Sequence, residues 1–171
     1  FLLLTRSLAS AHRIAQVLDE PVELTSPPQP EREVSDGSVT FDHVSFKYRA
    51  DAEEYALEDV TLHIPAGQTV GILGGTGSSK TTLVQLIPRL YDATEGTVSV
   101  GGKDVRDYEL DALRSAVGIV LQKNTLFSGS VRENLRWGDA QADDEALWAA
   151  CRVACADEFL ERTPKGLDTD L

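Results

Sequence analysis

Gly71-Ile-Leu-Gly-Gly-Thr-Gly-Ser-Ser-Lys-Thr-Thr-Leu83 decides the fold of this chain. Thr69 to Leu73 is apolar enough to read as a short strand buried on both faces. Thr81 to Ile87 reads as a helix with Leu83, Leu86 and Ile87 turned inward. The loop between them, Gly74, Gly75, Thr76, Gly77, Ser78 and Ser79, is built of small residues whose backbone N–H groups can close around phosphate oxygens. The start of the following helix adds aligned amides and a partial positive charge. In this arrangement Lys80 reaches the β- and γ-phosphates of a nucleoside triphosphate, and the Thr81 hydroxyl coordinates Mg²⁺.

The general phosphate-loop pattern is G-x-x-x-x-G-K-[ST], and here Ser79 stands at the second glycine. Serine is small, but it is strained if that position requires a positive φ. Two readings follow: a working nucleotide site, or a degenerate and weakened one.

Bulk properties narrow the class. With 171 residues, 42% of them hydrophobic and 26% charged, the chain can bury a core as a soluble globular domain. A net charge of −12 opposes a broad nucleic-acid surface, which needs an excess of Lys and Arg. Cys151 and Cys155 fall in one helical row with Leu147 and Phe159, which predicts core packing. His12, His43 and His63 lie far from them in sequence, so no metal-ligand spacing is present. The chain has no methionine and opens on Phe1-Leu-Leu-Leu4, so it reads as a fragment. Four apolar residues are far below the roughly 20 that cross a bilayer, although they can be the end of a spanning helix.

Leu4, Leu8, Ala11, Ala15 and Leu18 recur at helical spacing, predicting an amphipathic helix over residues 2–18, about 25 Å long. The proline-rich, acidic segment up to Asp36 reads as an extended linker. Alternating residues over Val39–Tyr48 and Leu57–Ile64 predict antiparallel strands. Beyond the first phosphate-loop helix come a turn at Asp92–Gly96, a strand over Thr97–Val100 and a tight turn at Gly101-Gly102. A helix near Leu110–Ser115, a strand over Val117–Leu121 and a mostly helical stretch over Asp143–Leu160 complete the reading.

Taken in order, these motifs resemble the nucleotide-binding domain of an ATP-binding cassette (ABC) transporter, of the exporter type that carries membrane and ATPase domains in one chain. Val44-Ser-Phe-Lys-Tyr48 is similar to the family's aromatic loop, which implies that Tyr48 stacks on adenine, worth about 1–3 kcal/mol. Val120-Leu-Gln122 resembles the Q-loop, implying that Gln122 touches Mg²⁺ or the attacking water. Leu126-Phe-Ser-Gly-Ser-Val-Arg-Glu-Asn-Leu135 resembles the exporter segment that docks the coupling helices of the membrane domain; read without the family, Phe127 and Leu135 are ordinary core residues. Ser10-Ala-His-Arg-Ile-Ala-Gln-Val-Leu-Asp-Glu20 resembles the cytoplasmic end of the last membrane helix.

The resemblance implies an α/β fold: a P-loop NTPase core of ABC type with an antiparallel β subdomain and part of an α-helical subdomain, preceded by one helix and truncated. It divides the chain into a helix end (1–19), a linker (20–37) and a partial nucleotide-binding domain (38–171). It implies ATP and Mg²⁺ as ligands, held by Tyr48, the loop from Gly74 to Ser79, Lys80, Thr81, Thr82 and Gln122, with Thr81 and Gln122 on the metal. Lys80 and Gln122 are the expected catalytic contributors. The implied partners are a second nucleotide-binding domain, as homodimer or heterodimer, and a fused transmembrane domain, on the cytoplasmic side of the cell membrane and without nucleic acid.

The family's Leu-Ser-Gly-Gly-Gln type signature, its strand ending in Asp-Glu and its switch histidine do not occur in these residues. Ala154-Cys-Ala-Asp-Glu158 ends in two carboxylates but is Ala-rich and helix-patterned, unlike a β-branched strand. The catalytic glutamate is therefore expected outside these residues, and the chain alone is expected to bind ATP without hydrolysing it. A regulatory half of a heterodimeric exporter and a soluble ABC ATPase remain as alternatives.

Overall fold

The structure, a computed structural model, describes residues 2–22 and 24–171, without the side chains of residues 2–6 and 9. The apolar run at Phe1–Leu4 and the Leu4 step of the helical stripe lie outside the described side chains. The chain forms two compact units, Phe1–Gly118 and Ile119–Leu171.

The first unit begins with helix α1, Leu2–Leu18, as the leucine and alanine spacing predicts. Among the described residues no helix is long and apolar enough to cross a membrane. The body of the unit is a four-stranded antiparallel sheet in the order β2-β1-β3-β4. Strand β1 is Val39–Phe46, β2 is Leu57–Ile64, β3 is Glu95–Val100 and β4 is Lys103–Asp104. Alternation along β1 sends Phe41, Val44 and Phe46 into the core, where Val98 and Val100 of β3 meet them. Bulges interrupt β1 after Phe41 and after Val44. There His43 and Asp59 both take positive φ (49° and 48°) and share a 2.7 Å contact, which raises the His43 pKa. Gly96 (φ 78°) crosses the same place, and a side chain there would collide with the carbonyls of Asp42 and His43.

Helix α2, Lys80–Leu86, packs on the sheet through Leu86, which is fully buried, with Leu83 and Ile87 against the same core. Burying a leucine contributes about 1.5–3 kcal/mol. Helix α3, Leu110–Ala116, adds Leu113, and the buried Tyr108 before it donates its hydroxyl to Val100 O at 2.9 Å.

The proline-rich segment forms no helix or strand among its described residues, and it is fastened to the body. Glu31 N–H donates to Asp107 O (2.9 Å), and Glu31 O accepts from Glu109 N–H (2.8 Å), a short parallel bridge beside Tyr108. Ser26 Oγ accepts from Leu110 N–H, and Lys103 pairs with Glu31. Arg89, left-handed at φ 53° and 6% exposed, donates to both Asp92 carboxylate oxygens and to Thr25 O.

Two predicted strands do not form. Thr69–Leu73 and Val117–Leu121 join no ladder, and Leu73 (96%) and Val120 (90%) are among the most exposed apolar residues described. The first reads as a strand buried on both faces and the second as a strand, and such a strand exists only between neighbours that take its N–H and C=O groups. Among the described residues neither segment has those neighbours.

The second unit contains α4 (Val131–Leu135), α5 (Asp144–Val153) and α6 (Asp157–Glu161) around a small core of Leu147, Cys151, Leu160 and Leu167. Ser130 and Glu133 form a reciprocal capping box at the start of α4. Arg132 bridges Asp144 and Asp168, and this pairing holds the Asp168 carboxyl below its ordinary pKa. The row expected for Cys151 and Cys155 is broken. Cys151 is buried, but α5 ends at Val153 and Cys155 turns left-handed (φ 54°), so Cys155 and Phe159 (67%) face solvent. Asp157 and Glu158 open a helix, as the rejection of an Asp-Glu strand end requires.

Replacing Arg89 with alanine removes the bonds to Asp92 and Thr25, and should lower the unfolding free energy by about 1–3 kcal/mol. Arg89→Gly should lose about 1 kcal/mol less, because glycine accepts the left-handed backbone. Urea midpoints of the two variants against the parent chain measure both effects; an alanine variant as stable as the parent would remove Arg89 as a fastener.

Candidate functional site

The site is built where the chain leaves the unpaired segment Thr69–Leu73 and enters α2. Because α2 is anchored by Leu86 at its far end, the position of its first turn is set by the sheet core. An open cleft of about 260 Å³ lies there, lined by Gly77, Ser78, Ser79, Lys80, Thr81 and Thr82. Gly77 takes φ 85° and Ser79 φ 57°, so the loop reverses through two left-handed residues before the helix. Ser79 thus occupies the positive-φ position at which the general pattern has glycine, and it carries the corresponding strain. The Ser79 side chain makes no capping bond to α2.

Lys80 folds back over the loop. Its Nζ donates to Gly74 O (2.9 Å), Gly75 O (2.7 Å) and Ser78 Oγ (3.0 Å). The Ser78 hydroxyl in turn donates to Gly75 O. The cation is therefore held at the mouth of a loop whose glycines keep the space clear: a Cβ at Gly75 or Gly77 would meet nothing within 4 Å, whereas one at Gly74 would strike Ser78 Oγ at 2.5 Å. Among the described residues no protein acceptor takes the N–H groups of Gly77, Ser79 or Lys80. Free amides, a cation and an uncluttered backbone match the needs of a chain of phosphates.

Thr76 and Thr81 are exposed in the same stretch, and Thr81 presents its hydroxyl side chain at the cleft. Thr82 is 5% exposed and shares a 2.7 Å hydrogen bond with the Tyr48 hydroxyl. Tyr48 is 54% exposed, and its ring sits edge-on to Phe46 and Tyr91. Tyr48, the loop, Lys80, Thr81 and Thr82 thus all belong to the first unit, and Tyr48 is joined directly to α2. Tyr91, third member of the aromatic group, was not picked out from the sequence; it follows α2 and carries no motif of its own.

Gln122 is exposed and belongs to the second unit. The same unit holds Leu126–Leu135 in a defined form. Asn134 clamps Phe127 from both sides, accepting from its N–H (2.8 Å) and donating to its carbonyl (2.9 Å). The Phe127 ring stacks on Trp137 at 4.6 Å and 17°, with both rings largely in solvent. Phe127 is therefore a presented residue, while Leu135 packs against the second core.

A domain of this fold with a cradle of this form is a nucleotide-binding domain, and comparison with known proteins gives its family. The ABC transporter family profile matches residues 57–168. The chain belongs to the ABC transporter family. It is 44% identical over 167 residues to the "Putative multidrug export ATP-binding/permease protein YgaD" of Bacillus subtilis, covering 97% of this chain and 29% of that protein. It is 39% identical over 169 residues to the ABC transporter ATP-binding protein YknV of the same organism, covering 98% of this chain and 28% of that one. A bacterial Atm1-family ABC exporter with ATP bound superimposes with a TM-score of 0.86 at 32% identity, over 97% of this chain and 29% of that one. The chain thus spans less than a third of the length of these relatives.

Because Ser79 already holds the left-handed backbone, Ser79→Gly should stabilise the chain by about 0.5–1 kcal/mol while changing MgADP affinity by less than about threefold. Thermal unfolding and calorimetric titration read the two quantities separately. A tenfold or larger gain in affinity would instead mark the parent loop as degenerate.

Proposed function

We propose that this chain is the ATP-binding part of an ABC exporter, in which nucleotide binding and hydrolysis drive transport through a fused membrane domain. The observation that carries the reading is Lys80 held over a loop of glycines with unengaged amides. When ATP binds, the ammonium leaves the carbonyls of Gly74 and Gly75 for the β- and γ-phosphates, and the amides of Gly77, Ser79 and Lys80 donate to phosphate oxygens. The exposed Tyr48 ring takes the adenine face. Thr81 is the side chain of the cradle that would hold Mg²⁺, presenting oxygen, the donor suited to a hard cation. That ion would neutralise phosphate charge; orientation of the nucleotide is the work of the loop, Lys80 and Tyr48.

The residues that polarise an attacking water and complete the opposite face of the site are supplied from outside this stretch, the latter by a second nucleotide-binding domain. We therefore assign binding, without turnover, to these 171 residues alone. The clamped, exposed Phe127–Trp137 pair supports the further assignment of Leu126–Leu135 as the place where coupling helices of the membrane domain dock. Residues 1–19 then continue from the last membrane helix and 20–37 connect to the nucleotide-binding domain, 38–171, on the cytoplasmic side. The strained Ser79 keeps one second reading open, a regulatory nucleotide-binding half of a heterodimeric exporter.

Lys80→Ala should reduce MgADP affinity at least about tenfold, consistent with losing charge-assisted bonds to phosphate, and leave the circular dichroism spectrum unchanged. Unaltered affinity in a folded variant would sink the assignment of this loop as the phosphate site.

A further inference from the structure

The hydrogen bond between Tyr48 and Thr82 joins two parts of the site that the motifs treat separately. Tyr48 follows β1, and Thr82 lies within α2, two residues beyond Lys80. Thr82 is almost fully buried, so its hydroxyl needs a protein partner, and the Tyr48 hydroxyl at 2.7 Å is that partner. The ring is braced on its sides as well: Phe46 stands edge-on at 4.9 Å and Tyr91 at 5.3 Å, and these two touch each other at 5.4 Å. Phe46 itself is a core residue, 3% exposed. Although about half of its surface faces solvent, Tyr48 is thus held at its tip and its flanks.

We infer that the Tyr48 hydroxyl is a positioning group: bonded to Thr82, it sets the aromatic ring at a fixed place relative to the phosphate loop, so that the base and the phosphates of one nucleotide are gauged together. This rests on the reading that Tyr48 receives the base. An unbraced surface tyrosine has to give up its rotamer freedom when a base stacks on it, and a tethered one has given it up already. The tether acts on ligands that contain both a base and a phosphate chain. A bare polyphosphate meets the loop and Lys80 only, and does not register the position of the ring.

The test uses the full chain and two probes, MgADP and Mg-tripolyphosphate, titrated by calorimetry. Tyr48→Phe keeps the ring and removes the tether; it should weaken MgADP about three- to tenfold and leave tripolyphosphate binding unchanged. Thr82→Val should weaken MgADP to the same degree, the double variant should lose no more than either single one, and Thr82→Ser should restore parental affinity. A structural role alone would move thermal stability and both ligands together, and melting curves on each variant separate that case. If Tyr48→Phe binds MgADP like the parent while Tyr48→Ala binds it weakly, the ring stacks without a tether and the inference is overturned, with the base reading intact. If Tyr48→Ala also binds like the parent, the base reading itself falls. Additive losses in the double variant, or tighter tripolyphosphate binding in Tyr48→Phe, would overturn the tether by showing that the two hydroxyls act independently or that Tyr48 masks Thr82.

Discussion

Burial of one face of α2 against the antiparallel sheet is the constraint on which the rest of the first unit depends. The helix is two turns long, too short to persist in water by its own hydrogen bonds. Leu86 in the core, with Leu83 and Ile87 beside it, holds the helix in place, and so holds Lys80 and Thr82 at its other end. The phosphate loop inherits its geometry from that anchor. Its two left-handed residues, Gly77 and Ser79, turn the chain into a helix start whose direction the core has already set. The left-handed conformation costs glycine little and serine more, so the packing of α2 offsets strain at Ser79.

Polar contacts extend the same frame outward. Tyr48 leaves β1 and is tied to α2 at Thr82; Arg89 leaves α2 and is tied to the extended segment at Thr25; Glu31 in that segment bonds on both sides of Tyr108. The residues between α1 and β1 therefore run along the body as a fastened strap. The second unit has a different construction. Short helices with explicit caps and the Arg132 bridges surround a small core, and Asn134 fixes the backbone at Phe127 so that an aromatic pair stands in solvent.

Much of this was legible in the residues, for identifiable reasons. The strands over 57–64 and around 39–46, and α2 and α3, follow from local periodicity, because each buries one face against a neighbour within the described residues, whereas the helix over 2–18 keeps its spacing with its described side chains exposed. Thr69–Leu73 and Val117–Leu121 have the composition of buried strands, but strand formation depends on partners, which a local pattern does not contain. Cys155 was misplaced because helical spacing was carried through Ala154, where the backbone leaves the helix. The residue types of the cradle were plain from its glycines, Lys80 and Thr81. The left-handed turn at Ser79, the Tyr48–Thr82 bond and the bracing by Tyr91 were not, since each depends on how distant segments pack.

Core-anchored α2 presents a ready phosphate cradle in these residues. Amide hydrogen exchange with and without MgADP tests it most directly. Bound MgADP should slow exchange over residues 75–82 and change it little in β1 and β3, whose packing already sets the cradle. Exchange that is unaltered in the loop, or protection confined to the second unit, would contradict it.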